Sequence, residues 1–283
     1  METITMRVLR AESLGLCFGV RDALALTERL ADPGQVTVYG ELVHNPAVQQ
    51  QLDTRGFKVV QEAERQTLPA DDQVLITAHG ISDRRRTWLE AAGKQLIDVT
   101  CPLVRRVHRA AQDLAAGGWF VVVIGRPGHV EVQGIVEDLK QFAIVQGVSD
   151  ARCFASDRIG VVCQSTTPPR TAELIRRAIV RHNPDAEVRF VDTICQPTRD
   201  RQSAVMKLLA QVGAIVVVGG RNSNNTRELV ALARDHGAAV FHVERADDIK
   251  ADWFVDVHVV GLTAGTSTLD ETINEVQRAL EQL

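Results

Sequence analysis

Aromatic residues are scarce in this chain, with three Trp, one Tyr and eight Phe among 283 residues. Positive charge is not in excess either: 32 Lys and Arg stand against 36 Asp and Glu, a net charge of -4. Both absences argue against a nucleic-acid surface, which needs basic patches to neutralise phosphates and aromatic platforms to stack bases. They leave room for a local pocket that takes one phosphate group. No apolar run approaches the ~20 residues of a membrane-spanning helix, and the first residues, Met1 to Arg7, lack the apolar h-region of a signal peptide. The expectation is a cytoplasmic protein with no membrane association. Five cysteines are an odd number and contain no C-x-x-C pair, so no disulfide framework is expected, and reduced thiols are left as ligands, nucleophiles or small hydrophobes. No low-complexity tract, flavin motif or nicotinamide motif is present. The Pro168-Pro169 pair and the turn at 147–150 read as local punctuation.

Three segments repeat a single pattern. An apolar run ends in a turn, the turn carries a cysteine, and a helical periodicity follows: Ser13 to Val20 around Cys17, Leu96 to Val104 around Cys101, and Phe190 to Thr198 around Cys195. The cysteines are spaced by 84 and then 94 residues, which indicates a threefold internal repeat. Behind each cysteine helix comes a Val/Ile strand (35–40, 119–125 and 214–220), and each opens into a polar cluster. These clusters hold His44, then His129 with Glu131, then Asn222, Ser223, Asn224 and Asn225. A second helix, a short strand and a last strand with a polar tip complete each unit; the last tips carry His79, then Ser165 and Thr166, then Ser267.

Alternating strands and helices predict parallel α/β sheets, and unbroken apolar strands predict sheets buried on both faces. Ligands of such sheets collect at the carboxyl ends of the strands, where every one of these polar tips falls. The fold class expected is α/β, as three pseudo-symmetric units in a trefoil around one shared central site. The units are 1–97 (Cys17), 98–191 (Cys101) and 192–283 (Cys195). Cys153 and Cys163 do not recur and read as small hydrophobes. Three recurring thiols suit one metal centre, either zinc or an iron–sulfur cluster. Zinc on three cysteines usually draws on close C-x-x-C pairs, whereas a cubane with three protein thiolates leaves one iron open as a Lewis acid.

The motifs around Cys17 (15–20), His44 (40–45), His79 (78–80), Cys101 (98–104), His129 and Glu131 (128–134), Cys195 (192–195), Asn222 to Thr226 (218–226) and Ser267 (263–267), with Arg201-Gln202, resemble the 4-hydroxy-3-methylbut-2-enyl diphosphate reductase family in order along nearly the whole chain. The resemblance implies a cloverleaf of three α/β units around a central [4Fe–4S] cluster ligated by Cys17, Cys101 and Cys195. It implies that His44, His79 and His129 hold the substrate diphosphate together with Asn222, Ser223, Asn224, Asn225 and Ser267. It further implies that Glu131 is the proton source, since a carboxyl group in a water-poor pocket retains its proton more readily. The implied reaction is the last step of the methylerythritol phosphate route to isoprenoids. It is a two-electron, two-proton removal of the C4 hydroxyl that yields isopentenyl and dimethylallyl diphosphates. With no flavin or nicotinamide motif in the chain, the electrons are expected from a ferredoxin or flavodoxin.

The chain departs from the family pattern at the substrate end. Gln164-Ser165-Thr166 stands where the family shows Gln-Thr-Thr, so the hydroxyl relay falls on Ser165, or on Thr166 after a one-residue slip. Asn224 replaces a Ser, Thr268-Leu269 follows Ser267, and Gln196-Pro197 follows Cys195. These departures keep open a divergent paralogue that uses the same cluster on another small hydroxylated or phosphorylated molecule. A non-catalytic iron–sulfur sensor is a further alternative, although a sensor has no use for Glu131. The run Arg84-Arg85-Arg86 reads as a solvated face, or else as a contact for an acidic electron donor. His108, His182, His236, His242 and His258 lie outside the repeat and have no assigned role.

Overall fold

The computed structural model describes residues 6–283. In chain order β1 (Arg7–Arg10) leads to α1 (Phe18–Glu28), β2 (Val36–Tyr39), α2 (Pro46–Thr54), β3 (Lys58–Val60), β4 (Gln73–Ile76), α3 (Asp83–Ala91) and β5 (Gln95–Asp98). Then follow α4 (Pro102–Ala116), β6 (Phe120–Ile124), α5 (Val130–Val136), β7 (Phe142–Val145), β8 (Arg158–Cys163), α6 (Pro169–His182) and β9 (Glu187–Phe190). The remaining elements are α7 (Gln196–Leu209), β10 (Ala214–Val218), α8 (Asn224–Asp235), β11 (Ala239–Val243), β12 (Val259–Ala264) and α9 (Asp270–Glu281).

The strands form three four-stranded sheets in the orders β3-β2-β4-β5, β7-β6-β8-β9 and β1-β12-β10-β11. Every strand pair is parallel. The chain divides into two compact units. One takes the chain up to Val20, His44–Val48 and Gln196–Leu283 and contains the sheet with β1; the other takes Arg21–Val43 and Gln49–Cys195 and contains the other two sheets.

The sheets share a rule. Each takes three strands from one repeat and borrows as its fourth the strand just ahead of a cysteine. Thus β5 lies on β4 (Ile76 opposite Asp98), β9 on β8 (Val161 opposite Phe190) and β1 on β12 (Arg10 opposite Leu262). Cys101, Cys195 and Cys17 therefore each leave the edge of a sheet and enter the helix of the next repeat.

The Val/Ile runs are buried on both faces, as a parallel sheet requires: all residues of β10 and four of five in β6 are core. Helices cover both faces. For the β6–β8 sheet, Ile175 and Ile179 of α6 pack on one side, and Val107, Ala111 and Leu114 of α4 pack on the other. A fully buried aliphatic side chain of this kind stabilises by about 1.5–3 kcal/mol. Two mid-strand glycines let the helices close in. A Cβ at Gly160 of β8 would lie 2.7 Å from Leu114 of α4, and one at Gly261 of β12 would lie 2.9 Å from Leu208 of α7. The same close approach recurs at equivalent places of two repeats.

Three helices lie outside the expected pattern. Pro168-Pro169 opens α6, with proline in its first turn, because a first-turn proline gives up only an amide that has no helical partner. The arginine run forms the first turn of α3, capped by Ser82, whose Oγ accepts from the Arg85 amide. The third is the C-terminal α9, which buries Ile273, Val276 and Leu280. The last strand is also shorter than its apolar run: residues 251–254 form a 3-10 turn, and β12 starts at Val259.

Candidate functional site

All three recurring cysteines sit immediately ahead of a helix, α1, α4 or α7. Each also donates its amide to the tip of the strand beside its own. Cys101 N–H donates to Ala78 O at 3.1 Å, Cys195 N–H to Ser165 O at 2.9 Å, and Cys17 N–H to Thr266 O at 3.0 Å. The borrowed strand continues its ladder past the last sheet residue and delivers each thiol at the carboxyl end of the sheet. None of the five cysteines is in a disulfide. The recurring three are half-buried, whereas Cys163 is buried in a core and Cys153 is exposed.

The turns are built in two ways. Ahead of Cys101, the Asp98 carboxylate accepts from Thr100 N at 2.9 Å; ahead of Cys195, Asp192 accepts from Ile194 N at 3.2 Å. Both are Asp-x-x-Cys turns of the type in which Asp bonds its own backbone two residues on. Burial alone would raise the Asp98 carboxyl, but bonds from Thr100 and Arg86 outweigh it and hold it below its ordinary value. Ahead of Cys17 the matching residue is Leu14, and the turn instead uses Gly15 at φ +74°, a conformation that favours glycine.

In the larger unit, the tips of β4, β6 and β8 bring His79, His129, Glu131 and Ser165 into one cluster. The rings of His79 and His129 meet edge to face at 5.7 Å. His129 is the N-cap of α5, and its Nδ1 accepts from Glu131 N at 3.1 Å. An accepting Nδ1 carries no proton, so the ring proton is on Nε2 and the imidazole is a neutral N–H donor. Glu131 is 2% exposed. Its Oε1 accepts from Ser165 N at 2.7 Å, and its Oε2 is 2.9 Å from Ser165 Oγ. Of the two hydroxyls left open by the sequence, Ser165 meets the carboxylate at hydrogen-bond distance; Thr166 is half-buried one residue further on. Gln164, fully buried, accepts from Arg126 N through Oε1, and its Nε2 has no protein partner.

In the other unit, Ser223 caps α8, its Oγ accepting from Thr226 N at 3.3 Å. The hydroxyl proton of Ser223 is left for another acceptor. Asn224 and Asn225 are buried in the first turn of α8, and Asn222 is exposed on the preceding turn. Asn225 is 2% exposed; its Oδ1 accepts from Thr266 N at 3.0 Å, and its Nδ2 is buried with no protein acceptor. A buried amide donor without a partner costs about 1–3 kcal/mol, which marks a place for a ligand oxygen. Ser267 Oγ donates to His44 O at 3.3 Å, and Asn45 Nδ2 donates to Ser267 O at 2.5 Å. Gly220 is pressed against the same carbonyl, since a Cβ there would lie 2.7 Å from His44 O. The His44 backbone, Ser267 and the α8 start thus lie together at a helix N-terminus that carries hydroxyl and amide groups, chemistry that suits a polyanion such as a diphosphate.

Asn45 and His242 bond to backbone beside this cluster, a placement that the sequence did not single out. His242 Nε2 bonds Gly219 O at 2.8 Å at the end of β10, and burial holds its pKa below the ordinary value. Asn45 was readable only as the neighbour of His44. The arginine run differs from both expectations for it. Arg85 pairs with Glu137 at 2.7 Å and Arg86 with Asp98, so only Arg84 faces solvent. Two of its three charges are committed internally, and it is neither a wholly solvated face nor a free contact for a donor. Among the described residues no group of three or more His, Cys, Asp or Glu is arranged to hold a metal ion, and no helix is long and apolar enough to cross a membrane.

The sequence model of the family described as LytB protein matches residues 8–281. A 4-hydroxy-3-methylbut-2-enyl diphosphate reductase of Aquifex aeolicus is 32% identical over 98% of this chain and 96% of its own length. One of Dehalococcoides mccartyi (strain CBDB1) is 35% identical over 98% and 99%. A solved structure of (E)-4-hydroxy-3-methyl-but-2-enyl diphosphate reductase, described as the terminal enzyme of the non-mevalonate pathway, matches with a TM-score of 0.68 and 32% identity over 98% of this chain and all of that one. The Plasmodium falciparum reductase structure matches with a TM-score of 0.88 and 26% identity over 97% and 87%.

Proposed function

The chain belongs to the LytB protein family, and from that premise we propose how its residues carry out the reduction of 4-hydroxy-3-methylbut-2-enyl diphosphate, the reaction by which its relatives are named. It is a reductase of the non-mevalonate pathway. The observation that supports the residue assignment is the threefold-equivalent amide bond that sets Cys17, Cys101 and Cys195 at three helix starts. Thiolates are favoured at the positive end of a helix.

A [4Fe–4S] cluster fits this donor set. Cys17, Cys101 and Cys195, three half-buried thiols each set just ahead of a helix, would hold it through their thiolates. A single zinc ion needs all its ligand atoms about 2.0–2.3 Å from one point and usually draws on close C-x-x-C pairs, of which the sequence has none. When bound, the cluster supplies two electrons and an iron that polarises the substrate hydroxyl.

The protein residues do the rest. Ser223, Asn225, Ser267, Asn224, Asn222, His44 and His79 bind the diphosphate, with the Nε2–H of His129 as a neutral donor beside them. Glu131 gives a proton from its carboxyl oxygen to Ser165 Oγ, and Ser165 passes its own proton to the C4 hydroxyl, so that the C–O bond breaks and water leaves. Two electrons and a second proton complete the product, isopentenyl or dimethylallyl diphosphate. Ser165 retains the hydroxyl of the family's Thr, so the relay is conserved in chemistry; Thr166 stands next in line for a supporting role. The electrons come from a separate carrier of the ferredoxin or flavodoxin type. No observation favours the paralogue or the sensor over the reductase. Anaerobic turnover with an artificial reductant tests the reading: the two diphosphate products must form, and protein that carries iron yet leaves this substrate unchanged would refute it.

A further inference from the structure

The three cysteine turns are equivalent in position but not in how they are braced. An Asp carboxylate holds each of the turns before Cys101 and Cys195 from within, and the turn before Cys17 has no such residue. Its amides reach Ala264 O from Gly15 at 3.3 Å and Thr266 O from Cys17 at 3.0 Å. Its carbonyl at Gly15 accepts a bond from outside the turn, from Nη2 of Arg201 in α7 at 2.5 Å. Arg201 is 5% exposed, and its Nη1 also donates to Pro197 O at 3.1 Å in the first turn of its own helix.

The guanidinium is permanently charged and presents its N–H groups in a rigid planar fork. It joins the start of the helix that follows Cys195 to the turn that carries Cys17. A related bond occurs once more in the fold: Arg106 in α4, the helix that follows Cys101, donates to Asp192 O in the Cys195 turn at 3.0 Å. In both cases the helix behind one thiol steadies the turn that bears the next. The Cys17 turn has this brace where the other two have an Asp three residues ahead of the cysteine, with Asp270 Oδ1 of α9 also close to Gly15, and Arg201 is buried whereas Arg106 is exposed. Gly15 cannot be stiffened in another way. At φ +74° a side chain is disfavoured there, and a Cβ would lie 2.8 Å from Ile273 Cδ1.

We propose that Arg201 is the positioning residue that holds the Cys17 turn in the conformation that receives the cluster, through its bond to the Gly15 carbonyl. This rests on the cluster reading above, and the test separates the two. The full-length protein and its Arg201→Met and Arg201→Lys variants are prepared anaerobically, and a portion of each is stripped of iron. In the stripped protein, iodoacetamide alkylation of Cys17 is measured by mass spectrometry relative to the exposed Cys153. The loaded portion is analysed for iron and for the EPR line shape of the reduced cluster.

The expected result is a Cys17-to-Cys153 ratio about tenfold higher in Arg201→Met, the order of factor that goes with one hydrogen bond to a charged group. Iron content should fall below that of the wild type and the EPR line shape should change. Arg201→Lys, which keeps the charge without the fork, should fall between, and it decides the question if Arg201→Met does not fold. A ratio within about twofold of wild type in the folded variants overturns the role of Arg201, whatever the iron content. Wild-type protein that takes up no iron would instead overturn the cluster reading, with the alkylation ratio still deciding on Arg201.

Discussion

Replacing Glu131 by Gln should stop the reaction without disturbing the site. The carboxylate takes Ser165 N on one oxygen at 2.7 Å and lies 2.9 Å from Ser165 Oγ with the other. A Gln side chain can satisfy both contacts, since its Oε1 accepts from the backbone amide and its Nε2 donates to the hydroxyl, which is itself an acceptor. Both contacts to Ser165 are kept, with the hydroxyl turned round to accept, so the thermal midpoint should stay near that of the wild type. The amide has no proton to give at neutral pH. General acid catalysis contributes about 10²–10⁴-fold, and kcat should fall by that factor, equivalent to about 2.7–5.4 kcal/mol at 1.36 kcal/mol per decade. Ser165→Ala should lose a comparable factor while keeping the backbone bond to Oε1. If the pair acts as one relay, the double variant should be little worse than either single one. The assay is anaerobic turnover with an artificial reductant, alongside the visible spectrum to show that metal loading is unchanged. A Glu131→Gln enzyme within about tenfold of wild type, with intact loading, would refute the relay.

Asn225→Asp keeps the acceptor for Thr266 N but puts an anionic oxygen where the partnerless Nδ2 now lies. KM should rise by about 100-fold with kcat much less affected, as expected for a like charge facing a diphosphate; unchanged KM would remove Asn225 from the binding set. Gly220→Ala would place a Cβ 2.7 Å from His44 O, a backbone clash costing about 1–3 kcal/mol. Thermal unfolding should show that loss together with weaker substrate binding, and wild-type values for both would show that the His44 loop tolerates displacement. Burial lowers the pKa of His108, with Asp138 and Asp83 only partly opposing it, and burial likewise lowers His242. The unfolded chain, with His near 6.5, then binds more protons than the folded one. Stability is therefore full above about pH 6.5 and falls as the pH drops from there toward the folded values. Urea midpoints at about pH 7.5 and 5.5 should show the drop, and His108→Gln with His242→Gln should reduce it; an equal drop in the double variant would assign the effect elsewhere.

The repeat was legible because its physics is local. The Val/Ile runs at 120–124 and 214–218 have to be buried parallel strands, and polar residues directly behind them have to lie at the carboxyl ends. The histidines, Glu131 and the Asn222–Asn225 turn follow from that alone. The borrowing of β1, β5 and β9 by neighbouring sheets was not legible, because register is set by pairing across distant segments and leaves no mark in Arg7–Arg10 itself. The bonds from Ser165 N and Oγ to Glu131 had the same character, since they turn on where one backbone amide points. The helix at 169–182 was hidden behind two prolines that read as local punctuation, although proline is equally at home in the first turn of a helix. Arg85 and Arg86 read as solvent-facing charge because their partners, Glu137 and Asp98, lie on other elements. Arg201, a residue in the middle of a helical periodicity, acquires meaning only once Gly15 is seen to lie against it.

The central claim is that Cys17, Cys101 and Cys195 act as one ligand set. Iron and acid-labile sulfide, counted per chain in anaerobically purified protein and in five single Cys→Ser variants, test it most directly. About four of each per chain are predicted for the wild type and for the variants at Cys153 and Cys163, with loss or degradation of the cluster in the other three. Stoichiometric zinc in place of iron, or full loading after replacement of any one of the three recurring cysteines, would contradict it.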